Sequence, residues 1–148
     1  MRGFLPVMTP IAIRAGDDPE LEAFLAQRIY EFNAAATGYD DGETFTATHR
    51  GDAGDVEAGV SGYTWGGCCY VAYLWVAESC RGRGLVGALL DAAEQYAREK
   101  RCRLVFLSTH TFQAPTFYAR RGYEPVARIE DHPPGHASLF FVKRLDAR

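Results

Sequence analysis

The sequence lacks the features that mark membrane, secreted and nucleic-acid-binding proteins. No apolar run is long enough to cross a membrane. Residues 1–10 lack the hydrophobic region and the small-residue cleavage site of a signal peptide. The 16 basic residues are scattered among 19 acidic ones, for a net charge of −3, so no nucleic-acid surface is predicted. We therefore expect a cytoplasmic protein whose partners include neither nucleic acid nor a membrane.

The sequence also lacks a recognisable metal or disulfide pattern. Its cysteines are Cys68, Cys69, Cys80 and Cys102, which include no C-x-x-C pair and have no histidine at metal-ligand spacing. We expect reduced thiols that serve as small hydrophobic residues, and no metal site.

The apolar periodicity predicts a mixed α/β domain. The chain has 148 residues, 47% of them hydrophobic, and residues 1–148 are predicted to form a single domain with a buried core. Helical spacing predicts helices over 17–32 and 85–100, with a loop or short broken helix at 33–42. The predicted strands cover 11–14, 44–49, 56–65, 70–76, 104–107, 125–129 and 137–143.

A glycine-rich segment stands between a predicted strand and a predicted helix. Glycines allow backbone N–H groups to approach a ligand, and the N-terminus of a helix points its unpaired N–H groups at the same place. A glycine-rich loop followed by a helix N-terminus is suited to bind a pyrophosphate, and two arginines add positive charge beside it. The segment therefore predicts a phosphate-bearing cofactor, held by residues Arg81, Gly82, Arg83, Gly84, Leu85, Val86 and Gly87.

One interpretation of this loop is a dinucleotide site. Residues 82–87 satisfy the G-x-G-x-x-G pattern, which alone is a weak signal. Residues 77–81 separate the strand from the first glycine, whereas a Rossmann loop turns almost at once. The acidic residue expected about 20 positions further on is absent, since residues 106–110 read Phe-Leu-Ser-Thr-His. A nucleotide-dependent oxidoreductase is therefore the less favoured alternative.

Two motifs together resemble the GNAT superfamily of N-acetyltransferases. Residues 81–86 resemble its R/Q-x-x-G-x-G/A loop, which wraps the pyrophosphate of acetyl-CoA, and residues 114–123 resemble its A-x-x-F/L-Y-x-x-x-G-F/Y segment. Val86 departs from the pattern, which has Gly or Ala there, and Gly87 is expected to relieve the crowding. The resemblance implies a central, mostly antiparallel twisted sheet with flanking helices and a phosphate-binding loop after the fourth strand.

The resemblance also implies roles for single residues. Tyr118 matches the tyrosine that lies near the thioester sulfur and protonates the departing thiolate, although such a tyrosine can also be a core aromatic. The strand residues Leu74, Trp75 and Val76 would bind the pantetheine arm as a pseudo-strand. No Asp or Glu occupies 70–76, so the candidate bases are Glu78 and His110, either of which could instead be a surface residue.

The implied reaction is direct transfer of an acetyl group from acetyl-CoA to a small-molecule or peptide amine. The acceptor would enter between residues 33–42 and 132–136. A homodimer is left open. Val86 and the missing strand carboxylate leave one rival, a non-catalytic acyl-CoA-binding or sensing module.

Overall fold

The computed structural model describes residues 9–145, so the prediction about a signal sequence lies mostly outside the described residues. Contacts divide the chain into two units, one ending at Thr37 and one beginning at Gly38. The elements are α1 (Pro19–Thr37), β1 (Glu43–Arg50), β2 (Val56–Trp65), β3 (Cys68–Val76), a 3-10 turn (Glu78–Cys80), α2 (Leu85–Glu99), β4 (Leu104–His110), α3 (Pro115–Arg120), β5 (Glu124–Glu130) and β6 (Ala137–Arg144).

The first unit contains α1, and its described residues before α1, 9–18, form neither helix nor strand. The Asp18 carboxylate accepts a hydrogen bond from the Leu21 backbone N–H at 3.1 Å, which satisfies one of the free donors of the first turn. Pro19 is tolerated at the start of the helix because its missing N–H would have no partner there. The predicted start of this helix is therefore confirmed.

Two predictions for this unit are wrong. The helix continues to Thr37 instead of ending near residue 32, because residues 34–36 are alanines, the best helix formers. Residues 11–14 form no strand, and their short alternation finds no sheet partner. The glycine-rich loop, predicted to bind phosphate after a fourth strand, consequently follows the third strand of the structure.

The second unit is built on a six-stranded sheet with strand order β1-β2-β3-β4-β6-β5. Only β3 and β4 pair in parallel, since the chain between them crosses over through α2. The other neighbours are antiparallel. The predicted mixed α/β class with a mostly antiparallel sheet is confirmed.

The core lies between α2 and one face of this sheet. The apolar face of α2 places Leu89, Leu90 and Ala97 in a single cluster with buried side chains of β2, β3, β4 and β6. Three of the cysteines belong to this core, as the sequence predicts for small hydrophobic residues; they are Cys69, Cys80 and Cys102. Within residues 9–145, no helix has both the length and the apolar character needed to span a bilayer.

The buried carboxylate of Glu94 connects α2 to β6 and to the segment after α3. Glu94 is 3% exposed and accepts hydrogen bonds from the Tyr123 hydroxyl at 2.9 Å and from Lys143 Nζ at 2.8 Å. A buried charge is tolerated only when it is paired and hydrogen-bonded in this way. Glu94 therefore holds the segment after α3 and the strand β6 against α2.

Candidate active site

A cleft opens where β3 and β4 separate. The two strands pair only over Cys68–Val71 and Leu104–Leu107, and beyond these residues they diverge. A cavity of about 630 Å³ lies in the gap, with walls from both strands, from the glycine-rich loop and from α3. Among the described residues that line it, Arg81 alone is charged.

A β-bulge accompanies the separation of the strands. Gly62 of β2 pairs with Val71 and Ser61 pairs with Tyr73, so Ala72 is an extra residue on β3. A bulge bends its strand and increases the local twist. A Cβ on Gly62 would overlap the carbonyl oxygen of Tyr70, so only glycine allows this close approach of β2 to β3. The bend therefore begins where β3 leaves β4.

The glycine-rich loop has the backbone conformation of an anion site. Gly82 and Gly84 have φ values of +75° and +77°, in the left-handed region that favours glycine. Gly84 is the N-cap of α2 and offers no side-chain oxygen to the first N–H groups of the helix. A Cβ on either glycine would meet nothing within 4 Å, so the space in front of the loop is open. Arg81 and Arg83 are exposed beside it.

Val86 and Gly87 both contact other parts of the chain. Val86 is half-buried, packs against the core and lines the cavity. A Cβ on Gly87 would lie 3.1 Å from Nη1 of Arg121, whose Nη2 donates a hydrogen bond to the Gly87 carbonyl oxygen at 3.3 Å. Gly87 therefore makes room for Arg121, and the expectation that it relieves crowding at Val86 stays a prediction.

Tyr118 stands on α3 and lines the same cavity. Its ring packs edge-on against Phe117 at 5.4 Å and against Tyr123 at 6.0 Å. Burial raises the pKa of the Tyr118 phenol, because the phenolate would lose solvation. The phenol therefore keeps its proton at neutral pH and is available as a donor.

The predicted arm-binding strand also faces the cavity. Leu74, Trp75 and Val76 all line it. Leu74 and Val76 turn towards the core, whereas Trp75 is 54% exposed on the opposite face of β3 and its neighbour Tyr73 is 78% exposed. No hydrogen bond of the sheet ladder joins residues 72–76 to β4, so this strand edge is open towards the cleft.

The structure separates the two candidate bases. Glu78 lies in the 3-10 turn before the loop, is exposed, and is not among the described residues that line the cavity. His110 ends β4 and follows the lining residue Thr109, but it is likewise not among the described residues that line the cavity. Its ring stacks on the lining residue Phe112, which places His110 next to the cavity without making it part of the described lining.

A cluster of rings surrounds His110. The His110 ring stacks on Phe112 with 5.1 Å between centroids and meets the edge of His132 at 5.2 Å, while His136 lies 5.0 Å from Phe112. Within residues 9–145 these histidines are not part of a group that could hold a metal ion. The predicted position of residues 132–136 beside the cleft agrees with these contacts to the β4–α3 loop.

Gln113 is a site residue that the sequence did not indicate. Its Oε1 accepts hydrogen bonds from the His110 backbone N–H at 2.8 Å and from the Thr109 hydroxyl at 3.0 Å, and it lines the cavity. No motif marks it, because its role depends on how the chain turns between β4 and α3. Its position three residues after a strand-end histidine is the only sequence signal.

The other predicted acceptor loop lies elsewhere in the second unit. The Tyr39 carbonyl oxygen accepts a hydrogen bond from Trp65 Nε1 at 2.8 Å, and Asp41 accepts one from the Gly66 N–H at 3.0 Å. These contacts hold residues 38–42 beside the turn that precedes β3, whereas the cleft opens near the other end of that strand.

Comparisons with known proteins agree with this geometry. Residues 11–123 match the Acetyltransferase (GNAT) family. The blasticidin-S acetyltransferase of Streptomyces morookaense is 38% identical over 104 residues, which cover 70% of this chain and 76% of the relative. The crystal structure of an acetyltransferase from Bacillus cereus superposes with a TM-score of 0.76 and 33% identity, over 91% of this chain and 98% of the other.

A more distant structure, that of nourseothricin acetyltransferase, superposes with a TM-score of 0.59 and 27% identity, over 72% of this chain and 67% of the other. The glycine pattern at 82–87 therefore belongs to an acyltransferase and not to a nucleotide-dependent oxidoreductase. The family match covers both the glycine-rich loop and the helix that carries Tyr118, and the chain accordingly belongs to the GNAT family of acetyltransferases.

Proposed function

We propose that this acetyltransferase transfers the acetyl group of acetyl-CoA directly to the nitrogen of an amine. One observation carries the proposal. A single cavity is lined by Arg81 and Val86 from the glycine-rich loop and by Phe117 and Tyr118 from α3. The two motifs, separated by about 30 residues of sequence, thus meet at one place.

The loop fits the pyrophosphate of acetyl-CoA. The space in front of Gly82 and Gly84 is open, and the first N–H groups of α2 face it without a side-chain cap. The partial positive charge of a helix N-terminus attracts phosphate oxygens. Arg81 lines the cavity and Arg83 is exposed nearby, so both can add charge-assisted hydrogen bonds.

The edge of β3 fits the pantetheine arm. Residues 72–76 have no ladder partner on the β4 side, and an extended amide chain can pair with an open strand edge. Leu74, Trp75 and Val76 would make these contacts. The arm would then extend from the loop towards Tyr118 along the cavity.

Acetyl-CoA supplies the activated acetyl group as a thioester. Tyr118 holds a proton that its burial keeps on the oxygen, and it would give this proton to the sulfur as the thiolate departs. Cys80 is buried and is not among the described residues that line the cavity, so it is not placed to carry the acetyl group itself. Direct attack by the amine is therefore proposed, with His110 as the base near the acceptor side.

The acceptor is proposed to be a small-molecule or peptide amine. The relative named for blasticidin S suggests an amine-bearing antibiotic as one class to test. The aromatic rings of Tyr73, Trp75 and Phe112 line the cavity and would pack against an organic acceptor.

The proposal is tested by measuring CoA release from acetyl-CoA in the presence of an amine panel. The panel includes blasticidin S, a polyamine, free amino acids and a peptide with a free N-terminus. We expect acceptor-dependent CoA release and an acetylated product by mass spectrometry. Tight acetyl-CoA binding with no turnover on any amine would instead favour the non-catalytic acyl-CoA-binding or sensing module.

A further inference from the structure

We propose that Gln113 is a positioning residue that holds the proton of neutral His110 on Nδ1 and leaves Nε2 free to take a proton from the acceptor amine. This inference rests on the proposed function for the use of the base. The tautomer itself follows from contacts within the chain.

The orientation of the Gln113 amide follows from the donors that approach it. The two ends of a carboxamide look alike, but a backbone N–H can only donate. The His110 backbone N–H lies 2.8 Å from the Gln113 side chain, so the atom that receives it is the oxygen. The Thr109 hydroxyl approaches the same atom at 3.0 Å and is free to donate as well. Two donors therefore fix the amide with Oε1 towards the end of β4.

The protonation of the imidazole follows from its contact with this amide. His110 Nδ1 lies 3.3 Å from the same Oε1. A carboxamide oxygen has no hydrogen to give, so this contact is favourable only when Nδ1 carries the proton. A neutral imidazole has one N–H, which leaves the lone pair on Nε2.

The orientation of the His110 ring follows from the rings that contact it. Phe112 stacks on one face of the His110 imidazole and His132 meets it edge-on, both with about 5 Å between ring centroids. With Nδ1 turned towards Gln113, the opposite nitrogen is directed away from the loop. Thr109, which precedes His110, and Phe112, which stacks on its ring, line the cavity, so the His110 ring lies next to the described lining without being part of it.

The proton balance of the step is simple. Nε2 takes one proton from the nitrogen of the acceptor amine, which leaves the imidazole with a single positive charge. The Gln113 oxygen continues to accept from Nδ1–H in this state, so it also stabilises the imidazolium. The amine nitrogen bonds to the acetyl carbon as the carbon–sulfur bond breaks, and Tyr118 gives its proton to the sulfur. After the product leaves, the imidazolium releases its proton and the Tyr118 phenolate takes one up, so both side chains return to their starting states and no further reactant is required.

The described groups that contact the His110 ring come from two connections of the chain. Gln113 and Phe112 belong to the β4–α3 loop and are uncharged, and His132 belongs to the β5–β6 connection. No carboxylate forms an ion pair with His110 among residues 9–145.

The tautomer is tested by nitrogen-15 NMR of the imidazoles in the full chain without substrates, with a His110→Ala variant to assign the signals. We expect neutral His110 to carry its proton on Nδ1 in the wild type. We expect Gln113→Leu, which removes the oxygen, to move a substantial fraction of the proton to Nε2. A wild-type protein with the proton on Nε2, or an unchanged tautomer in Gln113→Leu, would overturn the assignment.

The catalytic consequence is tested with acetyl-CoA and the best amine of the panel. We expect kcat to fall by about 100-fold in His110→Ala and by roughly tenfold in Gln113→Leu, with little change in the KM for acetyl-CoA. Gln113→Glu keeps an oxygen acceptor for Nδ1–H, so it should restore much of the rate that Gln113→Leu loses.

The matched control is Gln95→Leu, which removes an exposed amide of α2 that donates to Glu99 and is not among the described residues that line the cavity. Its kinetics should equal those of the wild type. Equal kcat and pH profiles for Gln113→Leu and Gln95→Leu would refute the positioning role of Gln113 in catalysis even if the tautomer is as expected. Absence of any turnover in the wild type would contradict the proposed function, and the NMR measurement would still decide the tautomer.

Discussion

At the scale of single residues, the proposed chemistry depends on one phenol that keeps its proton. Tyr118→Phe preserves the ring contacts with Phe117 and Tyr123 and removes only the donor. We expect kcat to fall by about tenfold to a thousandfold, with acetyl-CoA affinity almost unchanged, because the proton is needed only in the transition state. Steady-state kinetics with a separate binding titration would measure both.

Tyr123→Phe is the matched control for this change. It removes a neighbouring hydroxyl that donates to buried Glu94 and is not among the cavity residues. It should lower the free energy of unfolding by about 1 kcal/mol and leave kcat close to that of the wild type. Full activity in Tyr118→Phe would make Tyr118 a packing residue of the core.

Val86 allows a second test at this scale. Val86→Ala should leave acetyl-CoA affinity equal or better, since a smaller side chain gives phosphate more room beside the loop. Because Val86 also packs against the core, the change should lower the free energy of unfolding by about 1 kcal/mol. A large loss of affinity in calorimetry would mean that the cofactor follows another path.

Residues that belong to a sequence motif could be predicted as site residues. Residues whose role depends on tertiary contacts could not. Tyr118 and the glycines of the loop stand in motifs, so their place in the cleft could be predicted. Gln113 could not be, because its three contacts exist only after the chain turns from β4 into α3. The contact of Arg121 with the Gly87 carbonyl of α2 likewise depends on the folded structure.

At the scale of elements, the glycine-rich loop makes the sharpest prediction. Gly84→Val puts a β-branched side chain at φ +77°, which costs about 1–2 kcal/mol of folding free energy, although the Cβ itself meets no neighbour. It also places atoms in the space proposed for phosphate. We expect acetyl-CoA affinity to fall far more than this strain explains, as measured by titration on the folded protein.

Gly54→Val is the matched control for the loop. Gly54 has φ +86° and equally open surroundings, but it lies in the turn between β1 and β2. The two variants should lose similar thermal stability, and only Gly84→Val should lose affinity. Unchanged affinity in folded Gly84→Val would remove the loop from the cofactor site.

The boundaries of the elements show where sequence patterns suffice. The strands β1, β2 and β3 and the helix α2 were predicted to within a few residues, since each has a long apolar period or a glycine turn at its end. β4 extends to His110, beyond the predicted 107, because its polar end is held by pairing with β6. A strand requires a partner, and residues 11–14, which alternate over only four positions, have none.

At the scale of the whole molecule, a buried thiol predicts how stability depends on pH. Burial raises the pKa of Cys69, which is 0% exposed, to about 12 from an ordinary value of 9.0. Above pH 9 the unfolded chain therefore binds fewer protons than the folded one. The free energy of unfolding should fall as pH rises, by up to about 1.4 kcal/mol per pH unit for this thiol.

Cys69→Ala should flatten this decline, as measured by urea unfolding between pH 8 and 11 under reducing conditions. Some slope should remain, because burial also raises the pKa of Cys102, Tyr118 and Tyr123. Val71→Ala, a nearby buried truncation without a titrating group, should lower stability and keep the wild-type slope. Identical slopes in Cys69→Ala and the wild type would contradict the assignment.

The Arg121 side chain sets the distance between α2 and α3. Its guanidinium reaches from the end of α3 to the Gly87 carbonyl and Asp91 of α2 and lies 5.6 Å from the centre of the Phe117 ring. One helix begins at the proposed phosphate site and the other carries the proposed acid, so this link sets the spacing between the two. In the proposed binding mode, this spacing determines which acyl thioesters can react, according to the length of the arm between the pyrophosphate and the sulfur. A thioester whose arm is a few ångströms shorter than that of CoA could still bind its pyrophosphate, but its sulfur would stop short of Tyr118.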